Sequence, residues 1–116
     1  MIRLWKAFIN SLNGLGWGLR HEQAIREEVA ALMLGVPASF FVAVNIAWWL
    51  ALVGSLVMLL VVEMLNTAIE KLSDHVTPEH SNAIKVVKDL GSAAVLGALT
   101  LAFMIWVAAL WVRVFG

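Results

Sequence analysis

The sequence predicts an all-helical membrane protein forming a single domain over residues 1–116. An amphipathic surface helix (about 4–27) precedes three membrane-spanning helices (about 29–43, 47–71 and 86–113). Three observations lead there. Hydrophobic residues make up 62% of the chain, above the roughly 45–50% of soluble domains. No charged side chain occurs from Val29 through Val62, nor from Leu90 through Val112. The charges gather before the first of these runs and between the two.

The N-terminal segment has helical periodicity. Trp5, Phe8, Ile9, Leu12, Leu15, Gly16 and Leu19 recur on one face, while Arg3, Lys6, Asn10, Asn13 and Arg20 point elsewhere, the pattern of a helix lying in the membrane interface. Gly14, Gly16 and Gly18 weaken this helix by roughly 1 kcal/mol each relative to Ala. Their G-x-G-x-G spacing follows no strand and precedes no Lys-Ser/Thr pair, so it is weak support for a phosphate loop. No cleaved signal peptide is expected, because the first residues lack a short apolar core and a small-residue cleavage site.

The run from Val29 to Val62 would be about 51 Å long as one straight helix, against a hydrocarbon core of about 30 Å, so it must fold back once. The expected turn is near Ala43 to Ala47, where Asn45 is the only strongly polar residue and Trp48 and Trp49 suit an interfacial aromatic belt. Pro37 cannot donate its backbone hydrogen bond and should kink the first span. On the third span Ala93 and Gly97, and Ala94 and Ala98, are small residues four apart that permit close helix packing within or between subunits.

Arg3, Lys6, Arg20 and Arg26 precede the first span, and Lys71, Lys85 and Lys88 lie near or within the second loop, while the first turn has no basic residue. Positive-inside therefore places the N-terminus and second loop in the cytoplasm and the C-terminus, with Arg113, outside. Basic and acidic residues balance at eight each, so no net pull toward nucleic acid is expected. The absence of cysteine excludes disulfides, thiolate metal sites and thiol nucleophiles.

Chemistry should therefore sit at the cytoplasmic face. Glu63, Asn66, Thr67 and Glu70 share a helical face through offsets of three, four and seven, and Asp74 extends the row. An acidic residue at membrane depth costs roughly 2.5–3.5 kcal/mol on insertion scales, and function is the default reason to tolerate it. The competing explanation for Glu63 is an interhelical hydrogen bond or an ion pair with lysine. A second group, Glu22, Arg26, Glu27 and Glu28, precedes the first span, and its structural explanation is a Glu22–Arg26 salt bridge at i, i+4. Lys88 and Asp89 precede the third span as a snorkelling cation and a helix-start anion. His75 and His80 read as exposed loop histidines rather than metal ligands.

Three motifs stand in order along the chain: Glu22-x-x-x-Arg26-x-Glu28, Glu63-x-x-Asn66-Thr67-Ala68-Ile69-Glu70-x-x-x-Asp74 and Lys88-Asp89-x-Gly91-Ser92-Ala93-Ala94-Val95. Together they resemble the prokaryotic diacylglycerol kinase family of small membrane kinases. The resemblance implies a homotrimer with shared active sites in the bacterial inner membrane, phosphorylating diacylglycerol with ATP and Mg2+. It further implies that Glu63 accepts the proton of the lipid hydroxyl, that Glu22 and Glu70 hold the magnesium of the nucleotide complex, and that Lys88 and Asp89 contact the nucleotide. By position, nucleotide contacts also fall on Arg3, Asn10, Glu79, His80 and Ser81, and the lipid side on Glu63 and Ser92. Asn10 stands where the family often has an aromatic residue, and His80-Ser81 where it usually has Tyr-His.

These roles suit the residue types. Magnesium is commonly held by one or two carboxylates with phosphate and water oxygens, a carboxylate withdrawn from water takes up a proton more readily, and a lysine offsets phosphate charge during transfer. Asn66 is placed to orient Glu63 or a metal-bound water. Three other functions compete: an undecaprenol kinase on the same scaffold, a proton pathway, and a nonenzymatic membrane adaptor. The Gly91-Ser92-Ala93-Ala94-Val95 stretch leans toward diacylglycerol, and the third span has no ionisable residue between Asp89 and Arg113 to continue a proton path.

Overall fold

The computed structural model describes residues 1–77, 79 and 81–116. It contains four helices and, among the described residues, no strand: α1 Ile2–His21, α2 Gln23–Val42, α3 Ile46–Val76 and α4 Asn82–Phe115. The surface helix ends at His21, earlier than the boundary expected near residue 27. Glu22 is extended, with φ −123° and ψ 117°, and separates α1 from α2. Its backbone N–H donates to the Gly18 carbonyl at 2.8 Å, and its carbonyl accepts from Arg26 N–H at 3.2 Å. The break is tight because Ile25 packs onto Gly18, where a Cβ would come within 2.6 Å of Ile25 Cδ1.

Trp5, Phe8 and Leu12 on α1 are exposed in the single chain. α2 runs unbroken through Pro37, and buried Ser39 donates its hydroxyl to the Val36 carbonyl at 2.6 Å. The turn falls at 43–45. Asn45 caps α3 by accepting the Trp48 N–H at 2.9 Å, and Trp49 packs on Phe40 with ring centroids 5.4 Å apart.

α3 is the central helix and packs against both α2 and α4. Its buried positions form a stripe at helical spacing. The stripe is apolar at Leu52, Leu59 and Leu60 and polar at Glu63, Asn66, Thr67 and Ser73. With 31 residues, α3 extends about 46 Å, so its last turns overhang a hydrocarbon core of about 30 Å. α3 and α4 are each long and apolar enough to cross a membrane. α2 differs, because the apolar part after Glu28 spans only about 21 Å.

On α4 the packed small residues are Gly91, Ala102 and Ala109. Ala93, Ala94 and Gly97 are exposed in the single chain, and a Cβ at Gly97 would meet nothing within 4 Å. Gly91 makes the close approach instead, since a Cβ there would collide with Asn66 Oδ1. At the polar end Lys88 Nζ donates to Asp74 Oδ1 at 2.6 Å, tying α4 to α3, and Lys85 Nζ donates to Asp89 Oδ2 at 2.7 Å within α4. The Lys88 hydrogen bond, aided by the charges of Lys88 and Lys71 and opposed by desolvation, holds the Asp74 carboxyl below the usual aspartate range.

Two predictions follow from this packing. Gly91→Ala should destabilise the folded protein in micelles by about 1–3 kcal/mol, the range for overpacking; unchanged unfolding would contradict the Asn66–Gly91 contact. The Asp74–Lys88 tie should persist above the unfolded carboxyl value and be lost as pH falls through the lower folded value. Carboxyl NMR should therefore find Asp74 titrating below about 3.9, and Lys88→Met should move that titration upward. An Asp74 value at or above the ordinary one would refute the tie.

Candidate active site

The polar part of the α3 stripe holds the acidic row that the sequence singles out. Glu63 and Asn66 are each 8% exposed and Thr67 7%. Asn66 donates its side-chain N–H to Glu70 Oε1 at 3.1 Å, so these two members of the predicted row meet directly. Asn66 Oδ1 is buried against Gly91 and has no hydrogen-bond partner among the described residues. Glu63 lies within Coulombic range of Glu70, Glu22 and Glu28. The ion pair with lysine that competed to explain Glu63 is absent among the described residues.

Glu28 received no role of its own from the sequence, and it faces Glu63 from α2 with Oε2 buried and without a hydrogen-bond partner among the described residues. Its place directly ahead of an uncharged run was the available signal. Four carboxylates, Glu22, Glu28, Glu63 and Glu70, thus converge from the α1–α2 break, α2 and α3.

The Glu22–Arg26 salt bridge does not form. Glu22 lies outside both helices, so the i, i+4 geometry that would align the pair is lost, and Arg26 Nη1 instead donates to the Leu19 carbonyl at 3.2 Å. Glu22 pairs with Lys71 on α3, Nζ to Oε1, at 3.1 Å. Lys71 had been read only as a cytoplasmic charge.

Two cavities lie along α3 near these residues, although none of the four carboxylates lines either. One of about 540 Å³ lies between α1 and α3 and is lined mainly by apolar side chains, including Leu12, Trp17, Ile25, Leu60 and Met64, with Lys71 also on its wall. The other, about 380 Å³, is polar and lies at the α3–α4 junction, where Glu79, Ser81, Lys88 and Asp89 meet Asp74 and Lys85. Four residues expected to contact nucleotide therefore share one pocket. Arg3 and Asn10 are exposed on α1 and line neither cavity, and Ser92 is exposed beside Gly91. His80 lies outside the described residues.

No group of three or more acidic or histidine side chains forms a closed metal cage among the described residues. The donor set still fits a magnesium ion that arrives with phosphate. It consists of oxygens, its carboxylates come from the α1–α2 break, α2 and α3, and the buried Asn66 Oδ1 has no partner among the described residues; magnesium usually keeps several ligands from water and phosphate.

Residues 9–110 match the family model for prokaryotic diacylglycerol kinase. The chain is similar to the diacylglycerol kinase of Escherichia coli strain K12, with 35% identity over 94% of this chain and 89% of the relative. It is also similar to the diacylglycerol kinase of Pseudomonas aeruginosa strain PAO1, with 34% identity over 90% and 85%, and to that of Helicobacter pylori strain 26695, with 32% identity over 90% and 81%. A match of this extent, carried by a chain whose acidic residues converge at one end of its apolar helices, makes the protein a member of the prokaryotic diacylglycerol kinase family.

Proposed function

We propose that this protein is an ATP-dependent lipid kinase that transfers the γ-phosphate to the hydroxyl of diacylglycerol and releases phosphatidate and ADP. The observation that carries the reading is the position of Glu63, a buried acid with carboxylates rather than a cation around it, close to an apolar cavity at the interfacial helix. A diacylglycerol has two apolar chains and one reactive hydroxyl, so its substrate site needs an apolar wall beside a proton acceptor.

In this reading the lipid hydroxyl gives its proton to Glu63 as its oxygen bonds to the γ-phosphorus and the bond to the β-phosphate oxygen breaks. Glu63 acts as general base. Asn66, held to Glu70 through its amide N–H, keeps Oδ1 as an acceptor that can orient a water, or Glu63 once it carries the proton, and Ser92 contacts the lipid. Glu22 and Glu70 would hold magnesium, which when bound offsets the phosphate charge. Lys88, Asp89, Glu79 and Ser81 take the nucleotide from the polar pocket, and Lys88 meets negative charge on the transferring group. Arg3, Asn10 and His80 complete the nucleotide contacts by position. Positioning and charge neutralisation supply most of the rate.

The same reading makes α2 the first of three spans, its short apolar part completed by interfacial residues at both ends. It places the N-terminus and site at the cytoplasmic face of the bacterial inner membrane and the C-terminus on the periplasmic side, following the distribution of basic residues. A homotrimer would close sites that one chain leaves open on one side. The exposed small residues Ala93, Ala94 and Gly97 give α4 a surface for such contacts.

The test is phosphorylation of diacylglycerol in mixed micelles with ATP, with magnesium supplied or chelated. Product should require magnesium, and Glu63→Gln should lower turnover by about 10²–10⁴-fold while helical content and assembly persist. Equal turnover by Glu63→Gln would remove the base assignment. Phosphorylation of undecaprenol in place of diacylglycerol would change the substrate and keep the chemistry.

A further inference from the structure

Glu22 differs from Glu28 and Glu63 in already holding a cation. Lys71 Nζ is 3.1 Å from its Oε1, and the same ammonium lies 5.7 Å from the centre of the Trp17 ring. Trp17 in turn stacks on His21, with ring centroids 4.6 Å apart and planes inclined by 21°. Lys71 therefore bridges the last turn of α1, the extended Glu22 and α3. Its other charged neighbours are Glu70 and Asp74.

Resting on the reading of Glu22 as a magnesium ligand, we propose that Lys71 is the resident counter-ion of the metal-free site and competes with the divalent cation for Glu22. Without Lys71, Glu22 would face Glu63 and its acidic neighbours with no compensating charge, and the extended link between α1 and α2 would be pushed outward. The ammonium removes that repulsion and, through Trp17, keeps the surface helix beside α3. A divalent ion approaching Glu22 meets the ammonium already bound to one carboxylate oxygen. It must either displace Lys71 or bind against its charge, and both weaken metal binding. Lys71 can leave because its side chain is 54% exposed, and Trp17, Glu70 and Asp74 can still receive it. One member of the pair, Lys71, is exposed while Glu22 is partly buried, so the cost of metal binding is modest and reversible.

Mn2+ binding to the purified protein in detergent, read by electron paramagnetic resonance without nucleotide, tests this without relying on activity. Lys71→Met should bind Mn2+ more tightly, by about fivefold or more, which at about 1.4 kcal/mol per tenfold is the upper end for a fully exposed pair and is reached here because Glu22 is partly buried. Lys71→Arg should stay near wild type because it retains the competitor, and Glu22→Gln should weaken binding. Circular dichroism confirms that each variant is helical, and Lys71→Gln provides a second neutral variant. Unchanged or weaker Mn2+ binding in both neutral variants, with Glu22→Gln still impaired, overturns the competition and leaves Glu22 as a ligand. Binding indifferent to Glu22→Gln overturns the metal assignment and the competition together.

Discussion

The burial of Glu63 and Asn66 on a helix that is aliphatic one turn earlier is the constraint around which the rest of the chain is arranged. A buried polar side chain must find a hydrogen bond or a compensating charge, and an ionised one costs more. α3 meets part of this demand internally, since Asn66 donates to Glu70. α4 packs Gly91 against Asn66, which fixes the amide where a side chain would displace it and closes Oδ1 off from solvent without satisfying it. The remaining demand, at Asn66 Oδ1 and Glu28 Oε2, is unmet by the described protein groups. Unmet buried oxygens at one end of an apolar bundle are what a site for a cation and a hydroxyl requires.

The surface helix adds the second half of the arrangement. Because Gly18 lets Ile25 pack closely, the chain turns at Glu22, leaves its helices and presents that carboxylate to α3. The turn also sets α1 alongside Leu60 and Met64, creating an apolar cavity next to the acids. An apolar cavity and a carboxylate are thereby set on adjoining surfaces of one short segment. The polar pocket at the α3–α4 junction lies beyond the apolar length of both helices, where a nucleotide can remain in water.

Much of this was legible from spacing alone. The three, four and seven offsets place Glu63, Asn66, Thr67 and Glu70 on one face, and three of those four are buried in the structure. Asn45 was recognisable as a break in an apolar run too long for one helix. The end of α1 was not legible, because it depends on a contact between Gly18 and Ile25 that periodicity does not encode. The same break explains why a Glu22–Arg26 pair at apparently ideal spacing fails to form while Lys71, far along the sequence, takes its place. Spacing does not tell which small residues on α4 serve contacts within the chain. The pattern at Ala93 and Gly97 marks where helices can approach, whereas Gly91 marks where α3 does approach.

The most direct test of the account is to locate the metal. Crystals grown with Mn2+ and a non-transferable ATP analogue would reveal the ion by its anomalous scattering. The account predicts a peak within coordination distance of Glu22 and Glu70, on the side of Asn66 Oδ1, with the phosphates between it and Lys88. A peak confined to Asp74, Glu79 and Asp89, with Glu22 still paired to Lys71, would contradict it.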